Sequence, residues 1–267
     1  MRRSVIKAKL ARNEPVLLTL LHFTDPIVYE MASMMGFDGL WLDYEHHPHG
    51  EREVTAMMRA ARVGTADILA RPAKGEFAKL SRLLEIGAQG IMYPRCDDAA
   101  EAAEVVKWGK FYPLGERGID SSNSDSPFHS LLLPEYIKKA NEETFMMIQI
   151  EDPRALERAD EIAAVEGVDI LFLGSADFSI LSGIVGDYDN PIITKAFERM
   201  AKAAEKAGKQ WGTVALSTDH AKRMLDMGAR LLCTGCDIVL LRDALQKIQE
   251  QYSPLGFQFN NQVFPAK

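Results

Sequence analysis

Eight short apolar runs, each followed by a stretch with helical start and stop signals, constrain this chain more than any other feature. The runs are Val16–Leu21, Gly39–Asp43, Asp67–Arg71, Gly90–Pro94, Phe145–Glu151, Asp169–Gly174, Gly212–Leu216 and Arg230–Thr234. They are nearly continuous in hydrophobicity rather than alternating, as expected of parallel strands buried on both faces. The intervening segments carry the signals of helix termini. Asp25-Pro26 opens a helix that Gly36 closes, Asp152-Pro153 one that ends at Gly167, and Asn190-Pro191 one that ends at Gly208; Ser217 caps another, closed by Gly228. A side-chain acceptor at the N-cap, proline at the first helical position and glycine just past the end each satisfy or relieve the backbone there. Strand and helix alternating eight times predicts an α/β chain, a (β/α)₈ barrel. The length of 267 residues suits one such domain spanning 1–267, with 252–267 as a C-terminal tail. An open doubly wound sheet is the alternative. Its glycine-rich phosphate turn is replaced after the first run by Leu21-His22-Phe23-Thr24.

Composition excludes several functions. The net charge is −7 and no basic run is interleaved with aromatics, which argues against nucleic acid as a partner. The apolar runs are strand-sized and too short to span a membrane, and no apolar signal core follows the basic Arg2-Arg3. The expected location is cytoplasmic. Three cysteines do not make a disulfide framework, and Cys233 and Cys236 read as small buried residues at the end of a strand. Gly118–Ser130 is polar and long, the mark of a lid, a binding loop or a disordered segment. The aromatic tail from Tyr252 either packs on a neighbouring subunit or frays.

In such a barrel the chemistry sits at the C-terminal ends of the strands. Those ends carry Asp43, Glu45 and His46, then Arg71, then Gln149 and Glu151, then Gly174, Ser175, Ala176 and Asp177. Glu151 and Asp177 are hard oxygen donors on adjacent strands, suited to Mg²⁺ or Mn²⁺ with most positions left for water or substrate. A 2-oxo acid can chelate such an ion, which stabilises an enolate oxygen as a Lewis acid. Alternatively the two acids merely cap the helices that follow them. His46 is the best general acid/base at neutral pH. Asp43 could hold its ring, and Glu45 would act through a metal-bound water. Arg71 offers a planar fork for a carboxylate or enolate, or else forms a salt bridge at the mouth with Glu45 or Asp43. Glu45-His46-His47-Pro48-His49 also has zinc-ligand chemistry, but neighbours on a proline-stiffened loop point in different directions. Lys74 is the candidate for a Schiff base; beyond Pro72, on a loop, it is expected to be solvated rather than nucleophilic.

These residues resemble a known family. GFDGLWLDYEHHPHG, LARP, the segment EIGAQGIMYPRCDDAAEAAEVVKWGKFYPLGERG and IQIEDPRALERADEIAAVEGVDILFLGSADFS are similar to the metal-dependent class II pyruvate aldolases of the HpcH/HpaI group. Those enzymes act on 2-keto-3-deoxy sugar acids and 4-hydroxy-2-oxo-heptanedioate. The resemblance runs from about residue 10 to about residue 250. It implies reversible cleavage of a 4-hydroxy-2-oxo acid to pyruvate and an aldehyde through an enolate on Mg²⁺ or Mn²⁺, with Co²⁺ as a substitute. It implies His46 as base through a metal-bound water, Asp43 as its partner, and Arg71 as the pyruvate-binding arginine. Glu151 and Asp177 would be the metal ligands, Gln149 would lie beside the keto acid, and the amides of Ser175 and Ala176 would hold the carboxylate. It further implies a homohexamer with exchanged C-terminal helices. Tyr44, His47-Pro48-His49 and Ser175 depart from the usual pattern, which leaves the aldehyde open. A CoA-thioester lyase of the malyl- or citryl-CoA type is the enzymatic alternative, and a non-catalytic keto-acid-binding barrel the other.

Overall fold

The computed structural model describes residues 2–263. Eight parallel strands close into a barrel in chain order: β1 (Val16–Leu21), β2 (Gly39–Asp43), β3 (Asp67–Arg71), β4 (Gly90–Tyr93), β5 (Phe145–Ile150), β6 (Ile170–Leu173), β7 (Gln210–Val214) and β8 (Leu231–Cys236). β8 pairs with β1, so no strand edge remains. All eight expected strands are present. β7 starts two residues earlier than its apolar run suggests, because Gln210 and the buried Trp211 already pair with Ile170 and Leu171 of β6.

The helix signals operate as anticipated. Asp25, Asn190 and Ser217 accept backbone N–H bonds from Ile27, Ile192 and His220, opening Pro26–Met34, Pro191–Ala207 and Thr218–Asp226. Gly208 closes Pro191–Ala207 in the left-handed region, where a β-carbon is costly. The helix expected after Asp152 is instead two short pieces, Pro153–Glu157 and Ala159–Ala163, broken at Arg158.

Successive side chains on each strand divide between two cores. Leu40, Leu42, Ile68, Ala70, Ile148 and Leu171 face outward against the helices. Val16, Leu18, Trp41, Leu69, Met92, Phe145, Met147, Phe172 and Leu231 fill the barrel interior. Ile6 and Leu10, on the helix Val5–Leu10 that precedes β1, join this inner cluster and plug its N-terminal end. Asp67, at the start of β3, anchors that plug. Its buried carboxylate accepts from Ser4 Oγ at 2.6 Å and from the Ile6 amide at 2.9 Å.

Gly118–Ser130 joins the helix Ala99–Gly109 to the helix Leu133–Glu143, on the return from β4 to the start of β5, hence at the N-terminal end of the barrel, away from this chain's own mouth. It is not a lid over that mouth. It is held by the buried pair Arg117–Asp125 at 3.0 Å, with Tyr136 donating to the same carboxylate. The last long helix, Asp237–Tyr252, buries only Asp237 and exposes Ile238, Leu241, Leu245 and Ile248. The tail is exposed to residue 263, and 264–267 lie outside the described residues. Among the described residues no helix is long and apolar enough to cross a membrane.

Replacing Asp67 by alanine would leave the Ser4 hydroxyl and the Ile6 amide buried without their acceptor. The expected cost is about 1.5–3 kcal/mol. It should appear as a lower urea midpoint with an unchanged denaturant slope.

Candidate active site

Following the inward-facing positions toward the C-terminal end, β2, β3, β5 and β6 leave the apolar core at their last step. Trp41 is followed two residues on by Asp43, Leu69 by Arg71, Met147 by Gln149 and then Glu151, and Phe172 by Gly174. A period of two along each strand places all of them inside one mouth.

Arg71 is the hub. Its Nε and Nη2 donate to Asp43 Oδ1 and Oδ2 at 2.9 and 2.7 Å. Nη1 lies 3.2 Å from Glu45 Oε2 and 3.5 Å from Gln149 Oε1. The guanidinium lies over the Trp41 ring, 4.7 Å from its centroid. Gln149 in turn donates to Glu151 Oε1 at 2.7 Å, and the Arg95 amide donates to Glu151 Oε2 at 3.1 Å. Asp43, Arg71, Gln149 and Glu151 are all buried. Burial would raise the Asp43 carboxyl, but the hydrogen bonds and charge of Arg71, joined by the Glu45 amide and the charge of His46, together outweigh it and hold the group below its usual range.

Glu151 behaves differently. Burial, and then the negative charge of Asp177, push its carboxyl up to about 8. Two neighbouring acids that repel each other, one of them buried, are a donor set suited to a cation. Each Glu151 oxygen accepts one bond and keeps a second lone pair. Gly174 makes room for this arrangement: a β-carbon there would fall 2.1 Å from Glu151 Oε1. Directly after it, the helix Ser175–Leu181 starts, with Asp177 in its first turn. The Ser175 and Ala176 amides lie in that first turn, where an α-helix has no acceptors of its own for them.

His46 stands at the edge of the mouth with 59% of its side chain exposed. Its partner is not the expected Asp43, whose two oxygens are taken by Arg71. Glu45 takes that place, with Oε2 at 3.6 Å from His46 Nε2. The carboxylate of Glu45 thus lies between Arg71 and His46. Burial, set against the charges of Arg71 and His46, raises its carboxyl.

Lys74 is not freely solvated. Its ammonium lies 2.9 Å from Asp97 and 3.0 Å from Glu101, and these bonds outweigh partial burial to raise its pKa. A lysine held as the ammonium is a poor nucleophile, which argues against a Schiff base there.

The sequence reading missed His22 and Asp237, and it took Cys236 for a small buried residue, whereas Cys233 is buried and Cys236 is partly exposed beside His22. His22 follows β1 and Asp237 follows β8, so the rule that singled out the other residues would have found them. It also misjudged His47 and His49, whose rings face each other: they stack 13° from parallel at 5.5 Å. His47 also touches His22, ring centroids 4.1 Å apart. Among the described residues, two groups of three have metal-ligand atoms close together: His22 with Cys236 and Asp237, and His22 with Asp43 and His47.

The family model described as HpcH/HpaI aldolase/citrate lyase matches residues 19–244. A hydroxypyruvate/pyruvate aldolase of Delftia acidovorans is 34% identical, over 97% of this chain and 96% of that protein. A 4-hydroxy-2-oxo-heptane-1,7-dioate aldolase of Shigella sonnei is 30% identical, over 92% of this chain and 94% of that protein. The crystal structure of an HpcH/HpaI aldolase from Desulfitobacterium hafniense superposes with a TM-score of 0.86 at 30% identity, covering 92% of this chain and 96% of that one. With a match across most of the barrel in both sequence and structure, the chain belongs to the HpcH/HpaI aldolase/citrate lyase family.

Proposed function

We propose that this chain is a divalent-metal-dependent aldolase that reversibly cleaves a 4-hydroxy-2-oxo acid to pyruvate and an aldehyde. The observation that carries the reading is the buried chain Asp43–Arg71–Gln149–Glu151 with Asp177 beside it. It offers a fixed cationic fork and a paired hard-oxygen donor set in one pocket. Family membership and the named aldolases among the relatives support it.

Glu151 and Asp177 would hold Mg²⁺ or Mn²⁺, with Co²⁺ as a substitute; their all-oxygen donors fit a hard cation. Such an ion supplies Lewis-acid stabilisation of negative charge on the keto oxygen. The chain's own residues do the rest. Arg71, its two outer nitrogens oriented by Asp43 and Glu45, binds the carboxylate and keto oxygen of the substrate, with Gln149 alongside. The Ser175 and Ala176 amides donate to the same carboxylate from the helix side. His46, oriented by Glu45, takes the C4 hydroxyl proton through water. The C3–C4 bond then breaks, its electron pair passes to C3 to form the enolate of pyruvate, and the aldehyde leaves. A proton returned to C3 completes pyruvate.

We further propose that the apolar side of Asp237–Tyr252 is covered by another copy of this chain in a homohexamer. Support comes from its exposed Ile238, Leu241, Leu245 and Ile248, which a barrel's eighth helix normally buries against its own neighbours.

His46→Ala should lower kcat for aldol cleavage by about 10²–10⁴-fold, the usual worth of a positioned acid/base. Its thermal midpoint should hold, because the ring is exposed. Arg71→Ala would strand the buried Asp43 charge, so Arg71→Lys is the cleaner probe. Losing the fork should cost about 10²–10³-fold in kcat/KM. Near-normal turnover in both variants would exclude these roles.

Deuterium uptake into the methyl group of pyruvate, followed by NMR in D₂O, tests the enolate directly. Exchange is expected with Mg²⁺ or Mn²⁺ and should stop in excess EDTA. Exchange that persists in EDTA would point to a lysine Schiff base. No exchange in either condition would favour a thioester lyase or a binding protein.

A further inference from the structure

A second set of ligating side chains lies at the mouth, apart from Glu151 and Asp177, where β8 meets β1. The register slips there. Leu18 pairs with Cys233 but Leu20 pairs with Cys236, so β8 carries one residue more than β1 over this step. Gly235 absorbs the extra residue at φ 76°, in the left-handed region. A bulge of this kind bends the strand and re-aims the side chain after it. Here it brings Cys236 Sγ to 3.1 Å from His22 Nδ1. The next residue contributes Asp237 Oδ1, 3.5 Å from the same nitrogen and 4.0 Å from the sulfur. The His22 and Asp237 side chains are only 12% and 7% exposed.

The arrangement is not that of a nucleophile relay. A Cys-His-Asp relay places thiol and carboxylate on opposite ring nitrogens, so that one gives and the other holds a proton. Here both confront Nδ1, and one imidazole nitrogen offers either one proton or one lone pair. Convergence of sulfur, nitrogen and oxygen on one point is the geometry of a ligand set. Zinc bonds of about 2.0–2.1 Å to nitrogen, 2.3 Å to sulfur and 2.0–2.2 Å to oxygen put tetrahedral ligand atoms about 3.3–3.6 Å apart. The observed separations of 3.1, 3.5 and 4.0 Å bracket that spacing.

We propose that His22, Cys236 and Asp237 form a binding site for a borderline transition-metal ion of the zinc class, with a fourth position open to water. The donor types separate it from the first site: thiolate and imidazole favour Zn²⁺ or Co²⁺, whereas the oxygens of Glu151 and Asp177 favour Mg²⁺ or Mn²⁺. The Cys236 thiol is not committed elsewhere as a helix cap, since it makes no capping bond to Asp237–Tyr252. The backbone holds the site in shape. Asp237 Oδ2 accepts from the His22 and Phe23 amides at 2.8 Å each, tying the end of β1 to the end of β8. On binding, the Cys236 thiol proton leaves to solvent and the sulfur donates as thiolate. The bound ion would fix the His22 ring, and through it the His47 ring packed against it.

The test is a Co²⁺ titration of EDTA-treated, dialysed protein in saturating Mg²⁺, which occupies the hard-oxygen site. The expected result is a near-ultraviolet thiolate-to-cobalt charge-transfer band that saturates at one Co²⁺ per chain and is bleached by Zn²⁺. Cys236→Ala and His22→Gln should remove the band and weaken Zn²⁺ binding at least about tenfold, a lower bound set by what even outer partners of a metal contribute. Cys96 and Cys233 are buried and should not substitute. Cys236→Ala should keep its Mg²⁺-dependent methyl exchange of pyruvate, so this site and the aldolase reading stand or fall separately. The proposal is overturned by a wild-type protein without the band, or by a band that survives in Cys236→Ala. Rapid thiol labelling of Cys236 that Zn²⁺ does not slow would also overturn it, and would assign the trio to a metal-free reactive thiol.

Discussion

The buried pair Asp43–Arg71 is the interaction on which the mouth depends. The two residues occupy paired positions at the last step of β2 and β3. Removing both charges from water is costly, and a bidentate geometry with further hydrogen bonds is what makes such a pair tolerable. The structure supplies further contacts: the Trp41 ring lies beneath the guanidinium, and Glu45 and Gln149 meet its remaining nitrogen. The stability gain of such a pair is small or negative relative to apolar packing. Its value is orientation. Asp43, Glu45 and Gln149 are positioned directly against the guanidinium, and His46 and Glu151 through Glu45 and Gln149.

From this hub the mouth divides by charge. On the β2 side, Asp43 stays ionised because Arg71 satisfies it. On the β5–β6 side, Glu151 receives only neutral donors, from Gln149 and the Arg95 amide, and faces the like charge of Asp177. One carboxylate is therefore used to hold a cation of the protein, and the other is left to hold a cation from solution. The same inward period that stacks Leu69 below Arg71 and Met147 below Gln149 puts this division directly on top of a packed core, where it cannot relax.

Much of this was legible in the sequence because it follows from periodicity. The strand runs, the capping residues Asp25, Asn190 and Ser217, and the strand-end position of each polar residue need no long-range information. What failed were inferences about partners. Asp43 was paired with His46 because they are three residues apart, whereas its partner is Arg71, 28 residues away across a strand pair. His47 and His49 were taken to diverge, yet stacking turns their rings to one side. The composition of Gly118–Ser130 left a lid, a binding loop and a disordered segment open; its place between the helices Ala99–Gly109 and Leu133–Glu143, on the return to β5, puts it at the far end of the barrel. The bulge at Gly235 is the least legible feature. Nothing in a run of apolar residues announces a register slip, and without it Cys236 would not meet His22.

The His22 donor set lies next to the carboxylate that holds Arg71. Asp43 belongs to the ligand-atom group with His22 and His47, and it also holds Arg71 through both oxygens. A cation on His22 would thus lie close to the carboxylate that orients the substrate-binding arginine. It would compete electrostatically with Arg71 for Asp43 and loosen the fork, while leaving Glu151 and Asp177 untouched on the opposite strands. A borderline metal ion at β1 and β8 would therefore act on binding of the keto acid rather than on the hard cation. Coupling of this kind runs through one shared side chain and requires no movement of the barrel, only a change in what Asp43 neutralises.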